Sequence, residues 1–119
     1  MTETVSITGN IFKRGGWDTD HSDIEDCASA HLVMYRCVNV SVTGNTFRIG
    51  GGDGANISKQ FAPNYSIVIK HLRGAVIANN AMHCGALERN ILDLGEHEDE
   101  VLIAQNVGLP GGGTPKLDK

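Results

Sequence analysis

Hydrophobic residues alternate with small or polar residues in four short segments of the chain, and each segment carries asparagine at its sixth position. The segments are VSITGNIF at 5–12, VSVTGNTF at 40–47, AVIANNAM at 75–82 and VLIAQNVG at 101–108. Alternation with a period of two residues is typical of a β-strand with one buried face. The pattern therefore predicts four β-strands that run into equivalent asparagines, which are Asn10, Asn45, Asn80 and Asn106.

The first two intervals between these asparagines are equal, and the third is shorter. Self-similarity at a period of about 20–50 residues indicates stacked repeats. Runs rich in β-branched residues precede three of the segments, at 31–37, 66–72 and 91–97, and predict a second strand. A short third strand is predicted after the asparagine, at 11–13, 46–49 and 81–83. Each repeat thus predicts strand, turn, strand, asparagine corner, strand and loop.

Such a repeat cannot bury its apolar face alone, so the sequence predicts an all-β solenoid of parallel sheets around a narrow core. Asparagine tolerates the left-handed α region that a sharp corner needs, and stacked asparagines can hydrogen-bond to one another as a ladder. The alternative is an antiparallel domain whose four asparagines lie in unrelated hairpin turns. The positions expected to point inward are Val5, Ile7, Val40, Val42, Val76 and Leu102, with Val33, Ile67 and Ile69 as further candidates.

The pattern V-x-[IV]-x-G-N-x-[FI], followed over about residues 5–108, resembles the right-handed parallel β-helix of the pectate-lyase-like superfamily. The resemblance implies about three to four rungs in a single domain, 1–108, followed by a Gly/Pro-rich tail, 109–119. Pectin-degrading enzymes, phage tailspikes and many surface proteins share this fold, so the fold alone does not assign an activity. The N-T-D and G-H-G signatures of polygalacturonase-like enzymes are absent, and no catalytic residue is carried over.

Two long loops are predicted on one flank of the solenoid, at 13–30 and 50–64. Such per-repeat insertions are common binding sites. The first loop is acidic, and three interpretations remain open: a solvated loop, a Ca²⁺ site, or a carboxylate pair for glycoside hydrolysis. Beside the acids, an aromatic ring could stack on a sugar. The candidate catalytic residues are Asp18, Asp20, Asp23 and Asp53, and the candidate ligand-binding residues are Trp17, Asp20 and Asp53.

Composition narrows the partners further. The chain has 119 residues and a formal charge of −4, which does not supply the dense basic face of a nucleic-acid-binding module. No apolar run is long enough to predict a membrane span. The histidines and the cysteines Cys27, Cys37 and Cys84 lack metal-ligand spacing, so no metal site is predicted from them and buried cysteines are expected. Apart from the Ca²⁺ alternative, no cofactor is predicted.

Two functions are predicted as alternatives. The first is a structural or attachment protein of a virion-like assembly, such as a phage tailspike, fibre or decoration module. A homo-oligomer, specifically a trimer, or a larger assembly would cover the open solenoid ends, and the loops would be presented to a partner or a polysaccharide. The second is a polysaccharide-degrading hydrolase or lyase, or a fragment of one. The opening residues do not read as a signal peptide. The expected location is therefore a virion or an extracellular assembly reached without one, or otherwise the cytoplasm.

Overall fold

The computed structural model describes residues 2–13, 30–48 and 63–108. These residues form nine β-strands and no helix, so this part of the chain is all-β as predicted. The strands are β1 (Thr2–Thr8), β2 (Ile11–Lys13), β3 (Ala30–Tyr35), β4 (Cys37–Thr43), β5 (Thr46–Arg48), β6 (Tyr65–Lys70), β7 (Arg73–Ala78), β8 (Arg89–Asp93) and β9 (Val101–Ala104).

Every strand pairing in the described residues is parallel, and the strands form three open sheets. Sheet A has the order β1-β4-β7-β9, sheet B consists of β2 and β5, and sheet C has the order β3-β6-β8. Isolated parallel bridges extend sheet B through Ala81 to Val107. The antiparallel alternative is therefore wrong, because neighbouring strands run in the same direction.

The chain passes through the three sheets in the same order in every repeat. We call the elements that belong to one such turn of the chain a level. The first level holds β1 and β2, and the second holds β3, β4 and β5. The third holds β6, β7 and Ala81, and the fourth holds β8, β9 and Val107. Levels one and two are in register on both shared sheets, since Val5 pairs with Val40 and Phe12 with Phe47.

The last interval between the asparagines is shorter than the other two because the last repeat differs in two connections. On sheet C, Ala30 pairs with Tyr65, but Tyr65 in turn pairs with Arg89, which is much closer along the chain. On sheet A, the last pairing joins Ala75 to Val101, and the separation of these partners along the sequence is reduced slightly less than on sheet C. The connection from sheet B to sheet C has therefore been cut back, and the connection from sheet C to sheet A has gained two residues.

Aliphatic side chains from sheets A and C and aromatic side chains from sheet B meet in one core. Val42, Ile67, Ile69, Ile77 and Phe47 have no exposed surface. Parallel sheets are normally covered on both faces, and β6 follows this rule, because Ser66 and Val68 on its other face are also fully buried. The predicted inward positions Val5, Ile7, Val40, Val42, Ile67 and Ile69 all belong to this core or pack against it.

Three of the predicted inward positions are wrong. Val76 is 39% exposed, Leu102 47% and Val33 44%. Val76 and Leu102 are in register with Ser41, at the second position of each repeat, and this position points to solvent. Their inward neighbours are Ala75 and Ile77 on β7 and Val101 and Ile103 on β9. Valine and leucine suggest burial by residue type alone. The alternation of the strand, aligned with Ser41 in the second repeat, assigns these positions to the outward face.

The corner between sheets A and B also differs from the prediction in one detail. The residue with positive φ is the one before each of the four stacked asparagines, which we call the ladder asparagines: Gly9 (74°), Gly44 (69°), Asn79 (60°) and Gln105 (58°). The ladder asparagines themselves do not have positive φ. Glycine at two of these positions has a physical reason, because it adopts positive φ without steric cost. The expected strand at 81–83 is reduced to the single bridge at Ala81.

Candidate functional site

The predicted site residues on the two long loops lie outside the described residues. This applies to Trp17, Asp18, Asp20, Asp23 and Asp53, and therefore also to the candidate Ca²⁺ site. What the structure describes is where each loop leaves and rejoins the sheets. Lys13 pairs with Arg48 where the loops begin, and Ala30 pairs with Tyr65 where they end. The two connections therefore span the same pair of sheets on adjacent levels.

His31 lies at the loop root, the point where the first of these loops rejoins the sheets. It stands between two stacked phenylalanine rings and the backbone of the third connection, which links Ala81 to β8. The Phe12 and Phe47 rings stack with centroids 4.7 Å apart, and the imidazole is tilted against both, at 6.1 and 5.7 Å. Its Nε2 lies 3.1 Å from the Gly85 carbonyl oxygen. Its Nδ1 is buried, with no hydrogen-bond partner of good geometry among the described residues.

The surroundings of His31 favour the neutral ring. Burial lowers its pKa to about 4, although the backbone carbonyls of Gly85 and Arg48 favour the charged form. Burial wins because desolvation of an imidazolium costs more than a weak hydrogen bond to a carbonyl returns. Protonation of His31 near neutral pH is therefore unfavourable, and this residue is poorly placed to act as a cation at the loop root.

A second polar group is fully buried beside the shortened third connection. Ser66 Oγ donates to Asn90 Oδ1 at 2.8 Å, and Asn90 Nδ2 donates to the Met82 carbonyl at 2.8 Å and to that of Gly108 at 3.2 Å. A Cβ atom on Gly85 would lie 2.5 Å from Asn90 Oδ1 and 2.7 Å from Ser66 Oγ. This group is satisfied internally, which is typical of a structural polar network.

The four ladder asparagines form one continuous series of hydrogen bonds. Asn45 donates from both its backbone N–H and its Nδ2 to Asn80 Oδ1, at 2.9 and 3.1 Å. Asn80 donates to Asn106 Oδ1 in the same way, at 3.0 and 2.9 Å. The second proton of Nδ2 goes to a strand carbonyl one level away, that of Ile7 for Asn45 and that of Val42 for Asn80. The asparagines thus join sheet A and sheet B at every level.

A different cluster, which the sequence analysis missed, lies at the corner between sheets C and A. Arg36, His71 and Glu96 stack there with positive φ angles of 58°, 58° and 60°. They line a pocket of about 410 Å³ together with Tyr35 and Lys70. Glu96, the corner residue of level four, lies in the lengthened connection between β8 and β9. Signals that could have found the cluster are the acidic run DLGEHEDE at 93–100 and the basic HLR at 71–73.

Ion pairs connect the third and fourth levels at this corner. Arg73 Nη2 lies 2.8 Å from Glu98 Oε1, and His71 Nε2 contacts the other oxygen of the same carboxylate. These bonds lower the pKa of Glu98, and the hydrogen bond to Glu98 raises the pKa of Arg73. Lys70 Nζ lies 3.4 Å from Glu96 Oε2. All of these groups are substantially exposed, so each pair adds little stability on its own.

His97 fixes the backbone of the lengthened corner. Its Nδ1 accepts a hydrogen bond from the Leu72 N–H at 3.1 Å, while its Nε2 lies 2.7 Å from Asp93 Oδ1. A ring that accepts at Nδ1 and donates at Nε2 is neutral. The side chain therefore replaces a backbone acceptor that the longer corner no longer supplies to level three.

Other chemistry is sparse in the part of the chain that the structure describes. No group of three or more His, Cys, Asp or Glu side chains there is arranged to hold a metal ion. Cys37 and Cys84 are buried free thiols, and burial raises the pKa of Cys37. Cys27 lies outside the described residues. Within the described ranges there is no helix that could cross a membrane. Comparisons with protein-family models, curated proteins and solved structures found no match.

Proposed function

We propose that this chain is a short right-handed parallel β-helix of about three to four rungs that acts as a structural or attachment module in a virion-like assembly. The fold part of the proposal is supported by the constant cyclic order of the three parallel sheets and by the asparagine series at one corner. Right-handedness follows from the general preference of parallel β-crossovers. The module would then work in a virion or an extracellular assembly, with the cytoplasm as the other location.

The observation that carries the assembly is the state of the two outer levels. Val5 and Ile7 on β1, and Val101 and Ile103 on β9, pack against the core but are only half-buried. Each of these strands is paired on one side only within the described residues. Half-exposed core and unpaired strand edges invite a covering partner. A homo-oligomer, with a trimer as the specific form proposed, supplies such a partner.

The oligomer is tested by measuring molar mass in solution by sedimentation equilibrium. A mass three times that of the chain supports the trimer, whereas a stable monomer at micromolar concentration would falsify the proposed assembly. The variant Ile7→Lys places a charge on the inward face of the edge strand, and Ser6→Lys is its matched control on the outward face. Only the first is expected to lower the measured mass, with circular dichroism confirming that both variants fold.

The second candidate function is cleavage of a polysaccharide by a carboxylate pair drawn from Asp18, Asp20, Asp23 and Asp53. It is favoured by one observation: the connections that carry these acids span the same two sheets on adjacent levels. Connections anchored on adjacent levels could bring acids from different repeats together, and Trp17 could stack on a sugar ring. Incubation with bacterial capsule or lipopolysaccharide, followed by a reducing-end assay, tests it. Turnover that is unaffected by Asp20→Asn and Asp53→Asn contradicts this assignment.

A further inference from the structure

The corner between sheets C and A holds an unusual column of side chains around its pocket. Arg36, His71 and Glu96 all adopt the left-handed conformation, and on level four the preceding Gly95 does so as well, with φ of 84°. A non-glycine residue in this conformation is strained, and such residues concentrate at ligand-binding and active sites. Three ionisable side chains in this state, on three successive levels, indicate that the corner has a role beyond turning the chain.

Charge is unevenly distributed along this corner. The acids, Glu96 and Glu98, come from level four, and they neutralise cations of level three. Lys70 pairs with Glu96, while Arg73 pairs with Glu98. Lys70, His71 and Arg73 of level three thus each have a carboxylate partner on level four.

Arg36 belongs to level two and faces level three, where Lys70 and His71 each contact a carboxylate of level four. Its backbone N–H donates to the Lys70 carbonyl at 3.1 Å, which places it directly against that level. Within the described residues, no carboxylate forms an ion pair with its guanidinium. A negatively charged group bound beside Arg36 would supply the partner of opposite charge that its guanidinium lacks among the described residues.

We propose that this pocket binds an oxyanion, namely a phosphate, sulfate or carboxylate group of a ligand. The guanidinium of Arg36 would hold it in a two-pronged hydrogen-bonded pair, which is the geometry that arginine favours with such groups. Lys70, His71 and Glu96 complete the lining, with Lys70 already paired to Glu96 and His71 in contact with Glu98. The half-buried Tyr35 ring offers a surface for the rest of the ligand. The site does not use the long loops, so it stands or falls independently of the function proposed above.

The test is an NMR titration of the full chain at constant ionic strength, with sodium phosphate against sodium chloride. Saturable amide shifts centred on residues 35–36 and 70–71 are expected with phosphate and not with chloride. Glucose 6-phosphate and glucose separate a ligand-borne anion from a free one, and the phosphorylated sugar is expected to bind more tightly. Equal affinity for phosphate and glucose 6-phosphate overturns the role of Tyr35, and the absence of any saturable shift overturns the site.

Two charge-matched variants localise the binding. Arg36→Gln is expected to weaken phosphate binding about tenfold or more, because it removes a charge-assisted hydrogen-bonded pair. Arg89→Gln, an exposed arginine at the start of β8, removes the same charge elsewhere and is expected to leave the affinity unchanged. Arg36→Gly also relieves the positive φ, so it separates loss of binding from loss of folding. Phosphate affinity that Arg36→Gln leaves at the wild-type value overturns the proposal.

Discussion

Asn45 Oδ1 accepts two hydrogen bonds from Asn10, one from its backbone N–H at 2.9 Å and one from its Nδ2 at 3.3 Å. A single side-chain oxygen thereby satisfies a backbone donor at a corner where the strand ladder is interrupted. Since an unpaired buried N–H is costly, the corner needs the amide side chain as a hydrogen-bond acceptor. The same relationship is repeated between Asn45 and Asn80 and between Asn80 and Asn106.

The energetic weight of the ladder should follow burial. Asn80 is 1% exposed, and its removal in Asn80→Ala leaves the Asn45 N–H and the Val42 carbonyl without their partners. We expect a loss of about 3 kcal/mol or more in the free energy of unfolding. Asn10→Ala, at the exposed end of the series, is expected to cost less than about 1 kcal/mol. Urea unfolding followed by circular dichroism measures both, and equal losses would contradict the ladder account.

The residue before each ladder asparagine should respond to substitution according to its φ angle. Gly44 has φ of 69° with no atom near an added Cβ, so Gly44→Ala is expected to cost about 1 kcal/mol from torsion alone. Gln105 has φ of 58° in the equivalent position, and Gln105→Gly is expected to stabilise by about 0.5–1 kcal/mol. Thermal unfolding of the two variants gives the signs. Destabilisation by Gln105→Gly would count against this assignment.

Neighbouring positions on β7 should differ sharply in their tolerance. Ile77 has no exposed surface, and Ile77→Ala is expected to cost about 2–5 kcal/mol through lost burial and the cavity left behind. Val76, which is 39% exposed, should lose less than about 1 kcal/mol on truncation to alanine, since most of its surface is not in the core. Chemical denaturation of the pair decides between the observed register and the one in which Val76 points inward.

The stability of the loop root should depend on pH through His31. Its folded-state pKa of about 4 lies below the ordinary value of 6.5, so the unfolded chain binds the proton more readily. The stabilising contribution is therefore present above about pH 6.5 and is lost as the pH falls towards 4, by up to about 3 kcal/mol.

The control for this pH effect is His31→Phe, which removes the titrating group and keeps an aromatic ring beside Phe12 and Phe47. Unfolding free energies measured at both ends of the pH range should fall less on acidification in the variant than in the wild type. The difference between the two isolates His31 from the carboxylates that titrate in the same interval. Identical pH dependence in the two proteins would rule out the buried neutral ring.

Much of the strand arrangement could be predicted because each repeat has the same pattern of alternating apolar residues followed by asparagine. The equal spacing of Asn10, Asn45 and Asn80 matches the observed pairing of Val5 with Val40. The inward assignment of Val76 failed because apolar side chains also occupy solvent-facing positions. The left-handed residue was misplaced by one position because glycine and asparagine are adjacent and either one tolerates that conformation.

The pocket at the corner between sheets C and A was harder to predict, because it depends on contacts between levels that no short sequence motif indicates. His71 meets Glu98 only because the last corner is longer than the corners before it. Counting with the strict period of the first two repeats places the acidic run in the wrong register. The predicted loop residues Trp17, Asp20 and Asp53 stay predictions, since only the points where their loops are anchored are described.

The shortened connection after Ala81 shows that β8 keeps its parallel register with β6 although the segment between sheets B and C has been cut back. The sheets therefore tolerate insertions and deletions at this seam without losing their strand pairing. A connection at this seam can therefore change in length in one repeat while the strand pairing of the sheets is kept. For protein engineering, the same seam is where a foreign peptide could be grafted with the least disturbance to folding.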